Sequence, residues 1–258
     1  MPDRIGRGIS QSFADGRRCW LAGRGHFWEK SFVSRRGWGS AELLVTVVDL
    51  SPAMLEQDRI AARQRGHQVE LIEGSMDDLS MLPAGGFDIV IHPVSTCYVP
   101  SVMVVYAQVA RVIRGGGIYI SQHKSPVSLQ TSTQPRAAAN GSPRYTVEHA
   151  YYRNGSSHKS GPNTPVPPPA ANPVAARLRE PGAVEFLHRW EELIGGMCRS
   201  GFVIEELAEP MHAKPDAEPG SFAERARFIP PYIRIKARRR NDQTATAATT
   251  QRLWIPEN

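Results

Sequence analysis

Several polar residues in this sequence sit where a chain could bind a ligand or move a proton. Asp49 closes the run Leu-Leu-Val-Thr-Val-Val-Asp that begins at Leu43. Ser75, Met76 and Asp77 follow the short run Val69 to Ile72, and His92 follows Phe87 to Ile91. Tyr98 and His123 come soon after the fourth and fifth apolar runs. A carboxylate that ends a buried strand can accept hydrogen bonds from two ribose hydroxyls, so Asp49 suits a nucleotide site. Taken singly, each residue also has a plainer reading. Asp49 would be an exposed strand-end acid, Met76 a core methionine and His92 a hydrogen-bonded strand-end histidine. His92, Tyr98 and His123 are the candidate bases should an acceptor need deprotonation.

The elements that must position these residues follow from hydrophobic period and punctuation. The β-branched run ending at Asp49 has the length of a strand buried on both faces of a parallel sheet. Ser51 is placed as an N-cap and Pro52 as the first helical residue. Met54, Leu55, Ile60 and Ala61 form one apolar side until Gly66. Strands are expected over Val69 to Ile72 and Phe87 to Ile91, a helix over Val102 to Arg114 ended by Gly115-Gly116-Gly117, and a strand over Ile118 to Gln122. From Ser125 to Pro181 the pattern dissolves into Ser, Pro, Asn and Gly, which reads as an excursion of poor order. Periodicity resumes with a helix over Val184 to Cys198, a strand over Gly201 to Leu207 and a last strand over Tyr232 to Ala237; a disordered tail is expected over 239–258. Strands alternating with short helical connections imply a doubly wound, mostly parallel α/β sheet.

Composition narrows the class. The chain has 258 residues, enough for one α/β domain with insertions, and 41% of them are apolar. Mean hydropathy is −0.36, that of a globular protein. No run approaches the roughly 20 apolar residues of a membrane span, and the N-terminus lacks an apolar signal core, so a cytoplasmic protein without a membrane partner is expected. Cys19, Cys97 and Cys198 have no ligand spacing, so neither a disulfide framework nor a metal site is expected. The net charge of +6 is dispersed, and only Lys30, Lys124, Lys159, Lys214 and Lys236 are lysines among 31 basic residues. Such an arginine bias can reflect base composition, and nucleic acid is not the expected partner. Oligomeric state leaves no mark in the pattern.

Four ordered motifs carry a resemblance. Val-Val-Asp-Leu-Ser-Pro-Ala-Met-Leu, Glu-Gly-Ser-Met-Asp-Asp-Leu, Phe-Asp-Ile-Val-Ile and Val-Ile-Arg-Gly-Gly-Gly-Ile, within residues 45–122, resemble the class I S-adenosylmethionine-dependent methyltransferases of the methyltransferase type 11-like kind. The segment from Arg179 to Arg238 looks like the closing half of uncharacterised bacterial members. The resemblance implies a Rossmann-like sheet whose last strand is antiparallel and inserted between the fifth and sixth. It implies S-adenosyl-L-methionine as cofactor and a methyl acceptor, here expected to be a small molecule. By the same resemblance Asp49 holds the ribose, Leu50 packs near the adenine, Met76 covers its face, Asp77 accepts from the exocyclic amine, Ser75 belongs to the same turn, and His92 lines the pocket mouth. Pro93-Val94-Ser95-Thr96 stands in place of the Asp-Pro-Pro-Tyr type signature, which argues against base or glutamine N-methylation.

The family's first motif, a strand ending in Gly-x-Gly-x-Gly, is matched only by Gly23 and Gly25, with Arg24 and His26 adding bulk. The segment before it is barely apolar. Residues 1–42 therefore read as a diverged or frame-shifted segment ahead of a methyltransferase domain over 43–238. If the glycine turn is impaired, the chain is an inactive, methyltransferase-fold binding protein. A nicotinamide-dependent oxidoreductase shares the glycine turn and the strand-end acid, but would need a clean glycine fingerprint and a Tyr/Lys pair, and neither is visible.

Overall fold

The structure, a computed structural model, describes residues 18–22, 44–139, 141–152, 165–167 and 184–241, the first of these as backbone only. Gly23, Gly25 and the tail beyond 241 lie outside the described residues. Strand β1 is Arg18–Ala22 and β2 is Leu44–Asp49. Helix α1, Pro52–Gln64, starts as its sequence dictates: Ser51 is extended, its hydroxyl accepts from the Met54 N–H, and Pro52 supplies the helical φ. Its inner face carries Leu55, Ala61 and Ala62. Strands β3, Val69–Glu73, and β4, Phe87–His92, follow, then helix α2, Val102–Val112, which buries Val102, Val105, Tyr106, Val109 and Val112.

The helix ends two residues earlier than its period predicts, because Ile113 already belongs to the next strand. Strand β5 runs Ile113–Lys124 and pairs Ile113 with Phe87 before its register shifts. The three glycines are thus the bulged start of a strand rather than a helix stop. Gly116 has φ +75°, and a Cβ on Gly117 would meet the Asp88 carbonyl at 3.0 Å, a conformation and a closeness that glycine tolerates. After β5 come the short helix α3, Pro126–Gln130, and two-residue ribbons joining 136–137 to 143–144 and 165–166 to 185–186.

The helix expected from Val184 is also shorter. Glu185–Phe186 form a two-residue strand, 187–189 are irregular, and the helical stretch is a π-turn over Glu191–Gly195 continued by α4, Gly196–Arg199. Long-range ties hold 185–188 out of the helix. Strand β6 is Phe202–Ala208, helix α5 is Phe222–Arg225, and strand β7 is Tyr232–Arg239.

The sheet order is β6-β7-β5-β4-β1-β2-β3. Pairs among β1 to β5 are parallel, while β7 is antiparallel to both β5 and β6, as the resemblance implied. Strand β1 sits at the centre between β2 and β4, so part of the segment read as irregular supplies backbone to the sheet. One face packs Val48, Val90, Tyr119, Ile233 and Ile235 against α2 and against Leu193 and Met197. The other packs Val47, Ile89, Ile91, Ile118 and Ile120 with Leu55, Ala61 and Ala62 of α1. Each large aliphatic buried this way contributes about 1.5–3 kcal/mol. A third, small core of Cys97, Leu129, Val166 and Leu187, with Val94, Tyr98 and Tyr151 beside it, draws in the loop after β4 and parts of the excursion.

Candidate active site at the carboxyl edge of the sheet

Register brings the sequence-predicted residues to one edge. Ala22 pairs with Val48, Leu21 with Ile91, and His92 with Ser121. The chain therefore leaves β1 at the level where Asp49 ends β2 and His92 ends β4. In a doubly wound sheet this is the edge, at the reversal of strand order around β1, where ligands bind.

On the β2–β3 side the geometry is made by tight local turns. Asp49 is half-buried, and its Oδ1 accepts from the Ser51 N–H at 2.8 Å. Its own carbonyl accepts from the Gly74 N–H at 3.1 Å, locking the ends of β2 and β3 together. A Cβ on Gly74 would press on the end of the flexible Met81 side chain, which would have to move aside, and would rest 3.4 Å from Val48. The Ser75 hydroxyl donates to Asp77 Oδ1, which orients that carboxylate. Leu50 is 63% exposed, open to pack on a ligand. Met76 is partly buried against the main core, so its plainer reading as a packing methionine is present in the structure.

The β4–β5 side is different in kind. His92 is fully buried rather than at a pocket mouth. Its Nδ1 lies 3.0 Å from the Tyr119 hydroxyl and its Nε2 2.8 Å from the Ser95 hydroxyl, which in turn donates to the Pro93 carbonyl. His123 is equally buried, between the hydroxyls of Thr96 and Ser121 at 2.8 Å each. His188 donates to the Thr96 carbonyl at 2.8 Å. Burial pushes the His92 pKa down to about 4. Burial, followed by the proximity of His92 and His188, holds His123 well below the ordinary imidazole range, and burial lowers His188. These imidazoles are neutral braces between strand ends and the loop after β4. Their ring nitrogens are engaged by the protein, so they are poorly placed to take a proton from a ligand. Tyr98 is half-buried, with the Lys124 ammonium 6.0 Å from its ring centre. Among the candidate bases it is the one with surface remaining.

Lys124, Glu185, His188 and Arg225 were not singled out from sequence, and all are buried. Arg225 donates to the carbonyls of Ser128, Thr131 and Ser132 and to the Ser128 hydroxyl, which fastens α5 to the segment after β5. Nothing in the surrounding Glu-Arg-Ala-Arg pattern marks it for the interior. A cavity of about 510 Å³ lies at the opposite edge, lined by Leu44, Val69, Met81, Leu82 and Phe87 among others. It is at the amino ends of β2 and β3, away from the site. Among the described residues no group of three or more His, Cys, Asp or Glu could hold a metal, and no helix is long and apolar enough to cross a membrane.

Comparison with known proteins matches this geometry. Residues 23–121 match the family model described as a methyltransferase domain. The match begins at Gly23, so Gly23 and Gly25 lie inside the matched segment. The chain is 30% identical over 165 residues to the uncharacterized methyltransferase YbaJ of Bacillus subtilis, covering 64% of this chain and 59% of that relative's length. Among solved structures, an S-adenosylmethionine-dependent methyltransferase from Mesorhizobium loti superposes with a TM-score of 0.65 at 21% identity, over 91% of this chain and 96% of that one. Geranyl diphosphate C-methyltransferase from Streptomyces coelicolor, solved with S-adenosyl-L-homocysteine, gives 0.56 at 15% identity, over 91% and 79%. Residues 23–121 are thus similar to a methyltransferase domain, and the sheet has the fold of S-adenosylmethionine-dependent methyltransferases, while the chain spans 59% of the length of its curated relative.

Proposed function

We propose that the chain transfers a methyl group from S-adenosyl-L-methionine to a small-molecule acceptor. The observation that carries this reading is the single level at which Ala22, Asp49 and His92 end their strands, with Gly74 locking β2 to β3. The donor set suits the cofactor's adenosine half. Asp49 retains carboxylate surface for ribose hydroxyls, Leu50 is open for the adenine, and Asp77 is held by Ser75 to accept from an amine. Gly23 and Gly25 would line the methionine end.

When bound, the cofactor supplies an electrophilic methyl on a sulfonium. The protein must then orient the acceptor in line and exclude water. The braced loop from Val94 to Tyr98 gives a rigid wall for that purpose beside β4. Tyr98 is the residue we assign to contact the acceptor, because its ring is half-buried at this wall. Melting the protein with and without S-adenosylhomocysteine tests the reading. At a ligand concentration of about 100 times Kd, stabilisation of about 2.7 kcal/mol should raise Tm by several degrees. No shift at millimolar ligand would overturn it.

A further inference from the structure

The excursion between β5 and the π-turn is bracketed by two residues that meet. Lys124 is the last residue of β5, and Glu185, 61 positions later, opens the two-residue strand that returns from the excursion. Their side chains form an ion pair in which both partners are buried, at 6% and 1% exposure. Removing two charges from water costs several kcal/mol each, so such a pair persists only where the partners are held together. The residues that follow are each tied to a different element. Glu185 and Phe186 ladder with Val166 and Pro165, and Leu187 enters the small core with Cys97 and Leu129. His188 donates to the Thr96 carbonyl, and the Trp190 N–H donates to the Tyr151 hydroxyl at 3.0 Å.

We infer that the Lys124–Glu185 ion pair is a clasp that closes the base of the excursion and positions the wall beside β4 and β5, separately from the cofactor half of the site. The pair fixes where the return strand crosses the end of β5. From there Leu187 and His188 set the loop that carries Thr96, Cys97 and Tyr98. Lys124 and Glu185 are positioning residues, acting on Tyr98 and its neighbours. The inference rests on the proposed function only in taking this wall to be the acceptor side.

Hydrogen exchange followed by mass spectrometry on the full chain tests it. In Lys124→Met and in Glu185→Gln, amides of 184–190 should exchange at least about tenfold faster, while those of α2, 102–112, keep their rates. The double replacement Lys124→Met/Glu185→Leu, which leaves neither charge behind, should restore most of the protection. Unchanged exchange in both single variants would overturn the clasp. So would acceleration of α2 in step with 184–190, or a double variant as fast as the singles. S-adenosylhomocysteine should protect the ends of β2 and β3 equally in all forms. Its failure to protect even the unaltered chain would refute the proposed function while leaving the exchange result on the clasp standing.

Discussion

The two halves of the carboxyl edge are built by opposite means. On the β2–β3 side the side-chain contacts that shape the site span two residues, Asp49 with Ser51 and Ser75 with Asp77, beside the backbone bond from Gly74 to Asp49. On the β4–β5 side, local contacts such as His92 with Ser95 and His123 with Ser121 are joined by ones that span 27 residues for His123 with Thr96, 61 for Lys124 with Glu185, 92 for His188 with Thr96 and 97 for Arg225 with Ser128. The first half leaves its polar side chains partly exposed, and the second buries them. A cofactor half made of local turns can bind without adding much to stability. An acceptor half made of distant, buried polar ties must hold much of the local stability of the loops it gathers.

The sharpest way to break this division is Arg225→Met. It leaves the buried carbonyls of Thr131 and Ser132 and the part-buried one of Ser128 without this donor and should cost about 3 kcal/mol or more in urea denaturation. Affinity for S-adenosylhomocysteine should change less than about threefold. A loss of affinity in proportion to stability would show the halves to be one unit.

Acidification should act on the same half. His92 titrates near 4 when folded and near 6.5 when unfolded, so below about pH 6.5 the unfolded chain takes up a proton the fold refuses. The stability tied to its neutral form is complete above that pH and is lost as pH falls towards 4. His92 alone accounts for about 3 kcal/mol over that window, and His123 and His188, shifted in the same direction, add to it. Urea midpoints should therefore drop between pH 7 and pH 5, and His92→Gln should flatten the slope. A slope unchanged in that variant would remove the histidine from the account.

The smallest effect sharpens the cofactor side. Asp77→Ala removes one acceptor, which should weaken S-adenosylhomocysteine by about fivefold, or about 1 kcal/mol, with stability within about 0.5 kcal/mol of the unaltered chain. Stability lost without affinity would make Asp77 a turn residue only.

What was legible in the sequence follows the same division. The strand ending at Asp49 and the cap at Ser51 were readable because local period and capping encode them, whereas the antiparallel final strand followed only from the resemblance, since patterning alone does not give strand direction. Local pattern misassigned Val184 to His188 as helix, since the side chains that hold that stretch out of the helix find partners far away. The burial of His92 was likewise hidden. A histidine after a strand looks the same whether it faces solvent or, as here, Tyr119 and Ser95. Arg225 carried no signal at all, because its acceptors are backbone carbonyls in a segment whose composition suggests only loop.

Calorimetric titration with S-adenosylhomocysteine, on the unaltered chain and on Asp49→Ala, tests the central claim most directly. The account predicts micromolar binding to the unaltered chain. Removing two charge-assisted hydrogen bonds to the ribose should weaken binding by about a hundredfold or more, with the urea midpoint nearly unmoved. Equal binding by both proteins, or none by either, would contradict a cofactor site built on the end of β2.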